Sequence, residues 1–146
     1  GSLRRIRLRS DQLFTSRIKL MSIYPTNKFK SSIYPNLSTN AASPTEVYSD
    51  AEVSGEGYSL ITSMIASNKT ETPRKISLII EKGGSSSAYL LYNVIIPANT
   101  AFEVIQGNKF ILKGTDKLKA FTDAVGDSAV GVVDLTVSYV VHIPPS

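Results

Sequence analysis

The stretch IIPANTAFEVIQGNKFILKGTDKLKAF, residues 95 to 121, sets three short apolar segments between turn signals. Pro97, Ala98 and Asn99 break the chain, and Phe102 and Val104 then alternate with Ala101, Glu103 and Ile105, the two-residue period of a pleated strand. Gly107 and Asn108 turn it. Phe110 and Leu112 alternate with Lys109, Ile111 and Lys113, and residues Lys113 to Asp116 turn the chain again toward Leu118 and Ala120. No helix of ordinary length fits between these breaks, so the stretch reads as a β-meander. Lys109, Lys113, Lys117 and Lys119 lie on its solvated face, opposite Phe110, Leu112, Leu118 and Ala120.

The same period extends on both sides. Upstream, Val47 and Tyr48 open a strand through Val53, and Gly55 and Gly57 turn it. From Tyr58 to Ser67 both alternating sets carry apolar groups, as in a central strand. Ile76, Leu78 and Ile80 give one core face, and Gly83, Gly84 and Ser85 to Ser87 form a hairpin loop before the strand at Tyr89 to Val94. Downstream, a loop around Gly126 spans Asp123 to Asp127. Val133, Leu135, Val137, Tyr139, Val141 and Ile143 then share a face until Pro144 and Pro145. About eight strands without a helical period predict an all-β fold, an antiparallel β-sandwich or jelly roll, with an extended N-terminal arm.

At 146 residues the chain suits one domain, which would bury roughly 70% of its unfolded surface. The expected organisation is a basic extension and extended arm over residues 1–43 and a sandwich over 44–146. The absence of cysteine removes disulfides, thiolate metal sites and cysteine nucleophiles. No apolar run reaches the roughly 20 residues of a membrane span, and no segment reads as a secretory signal.

The net charge of +4 is unevenly placed. Arg4, Arg5, Arg7, Arg9, Arg17 and Lys19 stand against Asp11 in residues 1–20, a local +5 that leaves the remainder at −1. Any contact with nucleic acid or an acidic partner therefore falls to those six residues, through counterion release. Gly1 and Ser2 also fit a cleaved tag and Met21 a start codon, which would make residues 1–20 vector-derived; a solvated tail is the third reading. Residues 22–43 are rich in Tyr, Pro, Ser and Asn and repeat Ile-Tyr-Pro at Ile23–Pro25 and Ile33–Pro35. Tyrosine before proline is pushed toward extended geometry, so this segment reads as an edge strand or surface-following arm. Ile23, Tyr24, Ile33 and Tyr34 are its candidate partner-binding residues, against the plainer reading of side chains covering the domain's own core.

Chemistry is sparse. His142, the single histidine, has no cysteine partner and no serine with a placed aspartate, so it reads as a surface or rim residue without a catalytic role. Glu46, Asp50, Glu52 and Glu56 form the one acidic cluster; without calcium-loop spacing it reads as a solvated, charge-protected edge. Gly83 to Ser87 lacks the Lys-Ser/Thr of a phosphate loop. Asn36-Leu37-Ser38 and Asn68-Lys69-Thr70 match the glycosylation sequon. No catalytic, metal or cofactor-binding residue is assigned, and no cofactor is expected.

Residues 47 to 143 resemble small β-sandwich structural proteins of tailed bacteriophage virions. The resemblance lies in the order of Ala66-Ser67-Asn68, the apolar Ile76–Ile80, a Tyr-Leu segment running into Ile96-Pro97-Ala98-Asn99-Thr100, a Gly-x-Lys-x-x-Leu segment at Gly107–Leu112, and a closing Asp-Leu-Thr-Val-Ser-Tyr strand at Asp134–Tyr139. The turn Lys113-Gly114-Thr115-Asp116 and the loop at Asp123 to Asp127 are longer than that pattern, and residues 1–43 have no counterpart in it. The resemblance implies a non-enzymatic role in head decoration, neck or tail, with copies of itself and other virion proteins as partners, in a virion assembled in the host cytoplasm without membrane association. A carbohydrate- or surface-ligand-binding module is the alternative. It would need exposed aromatics, whereas Phe102, Phe110, Phe121 and Tyr139 occupy strand positions that look inward.

Overall fold

The computed structural model describes residues 24–105, 109–123 and 131–145. Among them the chain forms β1 (Thr26–Tyr34), β2 (Thr45–Tyr48), β3 (Tyr58–Asn68), β4 (Arg74–Lys82), β5 (Ser86–Ile96), β6 (Ala101–Glu103), β7 (Phe110–Leu112), β8 (Lys117–Thr122) and β9 (Val133–Ile143). One sheet runs β1-β9-β3, with β7 and β6 pairing one after the other along the far edge of β3; the other runs β2-β8-β4-β5. All pairings are antiparallel.

The pairings nest. First pairs with last (β1·β9), second with second-last (β2·β8), β3 with β6 and β7, and β4 with β5. The chain is thus one long hairpin folded at Gly83 and Gly84, whose φ values of 62° and 72° lie in the left-handed region that glycine adopts without penalty. Two further ladders, β3·β9 and β4·β8, wrap that hairpin into two sheets. This is the jelly-roll architecture.

The core follows the two-residue period. Val133, Leu135, Val137, Tyr139 and Val141 of β9 are buried together with Ile76 and Leu78 of β4 and Leu118 and Ala120 of β8. Each valine, leucine or isoleucine among them contributes roughly 1.5–3 kcal/mol on full burial. In β3 the ladder to β9 slips between Ile61 and Ser63. That bulge, at Thr62, moves the buried set from Ser59 and Ile61 to Met64, Ala66 and Asn68 and leaves Leu60 on the outer face.

Three expectations change. Residues 95–121 are not a meander, because β6 and β7 both pair with β3 while β8 lies in the opposite sheet. The turn at residues 113–116 is a crossover, pinned by Asp116, which accepts hydrogen bonds from the Lys113 amide (2.7 Å), the Gly83 amide (3.1 Å) and the Lys82 ammonium (2.8 Å). Sheet pairing begins at Thr26, well before Pro44, since β1 runs along β9 for all nine of its residues. The strand opened by Val47 stops at Tyr48, which leaves Asp50 and Glu52 in a loop. The expected turn at Gly107 and Asn108, and most of the loop around Gly126, lie outside the described residues.

Candidate functional site

The outer face of the first sheet carries an apolar row. Phe29 of β1 lies opposite Val140 of β9, Val140 opposite Leu60 of β3, and Leu60 opposite Ile111 of β7. A second row sets Ile33 beside Thr136 and Thr136 beside Ile65. Phe29 and Ile33 are 84% and 75% exposed, and Ile65 and Ile111 are exposed as well. Contiguous apolar surface of this kind marks contact sites on soluble proteins.

The other side of β1 is charged but neutralised within the chain. Lys28 and Lys30 point the same way as the buried row of β9, and there they meet the loop after β2: Lys28 pairs with Glu52, while Lys30 reaches Asp50 at 2.8 Å and Glu52 at 2.6 Å. Asp50 is buried and also accepts from the Tyr139 hydroxyl at 3.1 Å and the Glu52 amide at 2.9 Å. Burial pushes the Asp50 carboxyl up, but the Lys30 ammonium, the Glu52 amide and the Tyr139 hydroxyl together bring it below the usual carboxylate range. The bond to Asp50, then that to Glu52, raises Lys30. Burial, reinforced by the charge of Asp50, pushes Tyr139 up to about 12. Of the acidic cluster expected on a solvated edge, Asp50, buried, and Glu52, exposed, thus clasp β1 to the loop after β2, while Glu46 and Glu56 remain exposed.

The second sheet ends in β5, where Tyr89, Leu90, Tyr92 and Ile95 are exposed. Its pairing with β4 slips twice, between Ile76 and Leu78 and between Leu78 and Ile79. At the first slip Asn93 turns left-handed, φ 51°, and its amide bonds the Ser77 hydroxyl at 3.0 Å. Tyr89 packs edge-on against Tyr92, 4.9 Å between centroids, and against Phe121 at 6.4 Å. Phe121 lies opposite Ser77, out of step with the buried Leu118 and Ala120. It is nonetheless buried, as the sequence predicts, but beneath Tyr89 on the other face of the sheet and outside the main core cluster. Between β5 and the β6–β7 edge lies a cavity of about 400 Å³ lined by Leu90, Leu91, Val94, Phe102, Val104 and Phe110.

Of the candidates named from sequence, Tyr24 is 63% exposed, Ile33 is exposed, and Tyr34 is half-buried and packs against the core. Ile23, Arg4, Arg5, Arg7, Arg9, Arg17 and Lys19 lie outside the described residues. His142 stacks on Tyr58 at 4.8 Å and bonds Asn27 at 2.8 Å. Asn68 is buried and its amide donates to the carbonyls of Thr72, Ile96 and Pro97, so this sequon asparagine is a structural clamp. Among the described residues no three acidic or histidine side chains gather as a metal site, and no helix is long and apolar enough to cross a membrane. Phe29 escaped the sequence reading, although the alternation Lys28-Phe29-Lys30 was the signal for it.

No family model matches the chain. No curated protein sequence matches it either. Among solved structures it is similar to infectious bursal disease virus, Gx strain, at TM-score 0.43 and 10% identity over 84% of this chain and 38% of that one. The Gt strain aligns at 0.41 and 13%, over 83% of this chain and 32% of that one. A tobacco streak virus coat protein dimer aligns at 0.37 and 10%, over 82% of this chain and 86% of that one. The chain thus spans about a third of the length of the bursal disease virus chains. Likenesses at this level carry no argument; the jelly roll rests on the strand order above.

Proposed function

We propose that this chain is a non-enzymatic structural protein of a virion, assembling with copies of itself and with other virion proteins through its sheet edges and N-terminal segment. The observation that carries this reading is the apolar row Phe29, Val140, Leu60 and Ile111 across the outer face of the first sheet, a surface that favours burial against another subunit. A jelly roll is compatible with it, being a form that capsid and lectin domains share, although fold alone assigns no function. The finer reading, a tailed-bacteriophage protein of head, neck or tail put together in the host cytoplasm, draws on the resemblance over residues 47–143. Electron microscopy of the purified full chain is expected to find symmetric assemblies, and deletion of residues 1–22 is expected to reduce them. A monodisperse monomer up to about millimolar concentration, far above the range of specific complexes, overturns this reading.

The Tyr89, Tyr92 and Phe121 group favours a second reading, a carbohydrate- or surface-ligand-binding module, because two exposed rings on an outer sheet face offer a stacking platform. Saturable binding on a glycan array, lost in Tyr92→Ala, would establish it; a blank array would remove it.

A further inference from the structure

Sheet edges in soluble proteins are ordinarily guarded by outward charges, prolines or bulges, because an unpaired edge is a template for another strand. β1 has none of these along its length. Its nine residues pair with β9 in unbroken register. Pro25 and Pro35 stand just beyond its ends. Its two lysines are held on the inner side by Asp50 and Glu52. On the outer side stand Phe29 and Ile33, the two most exposed large apolar residues among those described.

We propose that β1 pairs antiparallel with β1 of a second copy about a two-fold axis through Ser31, joining two first sheets into one. This names the partner and the register within the assembly reading above and rests on that reading. A two-fold axis perpendicular to the sheet keeps each residue on its present face and makes the contact isologous. Centred on Ser31, it sets Phe29 against the second copy's Ile33, Ser31 against Ser31, Lys30 against Ser32 and Lys28 against Tyr34. Apolar meets apolar at both symmetric positions, no like charges are opposed, and Pro35, which has no donor, falls opposite Asn27 and ends the ladder. The neighbouring centres fail: an axis at Lys30 opposes the two Lys30 side chains, one at Phe29 opposes Lys28 to Lys30, and one at Ser32 sets Phe29 against Pro35. β1 is therefore self-complementary in one register.

The absence of cysteine makes the test direct. In the full chain, Ser31→Cys puts one thiol on the axis, where facing Cβ atoms come within about 4.5–5.5 Å, close to disulfide geometry. Phe29→Cys puts the two thiols four residues apart along the ladder, roughly 13 Å. Under mild oxidation Ser31→Cys is expected to form covalent dimer at least about tenfold faster than Phe29→Cys, the gain of a high effective concentration. Adding Phe29→Lys and Ile33→Lys to Ser31→Cys is expected to abolish that advantage while the circular dichroism spectrum stays the same, since both sites are exposed. Equal rates for the two single-cysteine variants overturn the proposal. So does a Ser31→Cys dimer that forms only after deletion of residues 1–22, which would assign the edge to the chain's own N-terminal segment. If microscopy shows symmetric assemblies and Ser31→Cys does not cross-link within them, this register falls and the assembly reading stands; if no assembly forms at all, both fall.

Discussion

β1 and β5 are both edge strands rich in exposed apolar side chains, yet they meet solvent differently. β5 carries more of them, Tyr89, Leu90, Tyr92 and Ile95, but two slips against β4 and the left-handed Asn93 kink its edge. β1 is straight in register for nine residues, and its charges are withdrawn to Asp50 and Glu52. If β1 pairs as proposed, regularity of the backbone ladder rather than apolar content decides which edge recruits a strand, because a partner must meet an unbroken row of donors and acceptors. On that criterion β1 is open and β5 is guarded.

The largest test of this contrast removes the anchor of β1. Leu37 is fully buried, its amide donates to the Val133 carbonyl at 2.8 Å, and a Cβ on Gly131 would lie 2.1 Å from its carbonyl oxygen, so the exit of β1 is locked to the start of β9. Leu37→Ala is expected to cost about 2–5 kcal/mol in urea unfolding, with amide exchange rising in β1 and not in β5. Equal loss of protection in both strands would show that the edges are not separately held. A smaller effect is expected at the guard of β5. Asn93→Ala places an ordinary side chain at φ 51° and should cost roughly 1–2 kcal/mol, whereas Asn93→Gly should be tolerated. If the alanine variant instead unfolds like the parent and sediments as a larger species, the bulge has straightened and β5 has become a pairing edge.

The smallest effect is on the pH profile. Asp50 and Asp116 both titrate below their ordinary range: burial opposes ionisation in each, and the Lys30 or Lys82 ammonium with donated amides outweighs it. Their folded values lie below their unfolded ones, so they contribute stability that is complete above the ordinary carboxylate pKa of about 4 and is lost as pH falls through the folded value. Asp50→Asn should flatten that acid limb in urea midpoints measured against pH, and an unchanged slope would exclude the clasp as its source. Acid should also free Lys28 and Lys30, giving β1 the charge guard it lacks at neutral pH.

The sandwich was legible where period two met burial, in β4 and β9, whose alternating apolar residues are the ones the core takes. Partner choice was not. Turn residues end a strand without saying which sheet the next one joins, so the apparent meander hid a crossover whose pin, Asp116, looks like any loop aspartate. A one-residue bulge at Thr62 reversed the faces within β3, and Phe121, read as inward, is buried, but under Tyr89 and apart from the main core cluster. At the candidate surface Ile33 was singled out for its place beside Tyr34-Pro35, and the local alternation Lys28-Phe29-Lys30 carried the signal for Phe29 as well, whereas the burial of Asp50 depends on Lys30 and Tyr139, 20 and 89 residues distant. Local sequence does not carry those two contacts.

The nested pairing also has a consequence in time. On a ribosome, β4 and β5 can close across Gly83 and Gly84 as soon as both have emerged, but Tyr34 must wait for Leu135, its register partner. At elongation rates of about 5–20 residues per second, that interval of some hundred residues lasts roughly 5–20 s. Throughout it β1, the first of the described strands to emerge, lacks its partner β9, so the segment proposed to recruit a neighbour is also the described strand that waits longest for its own.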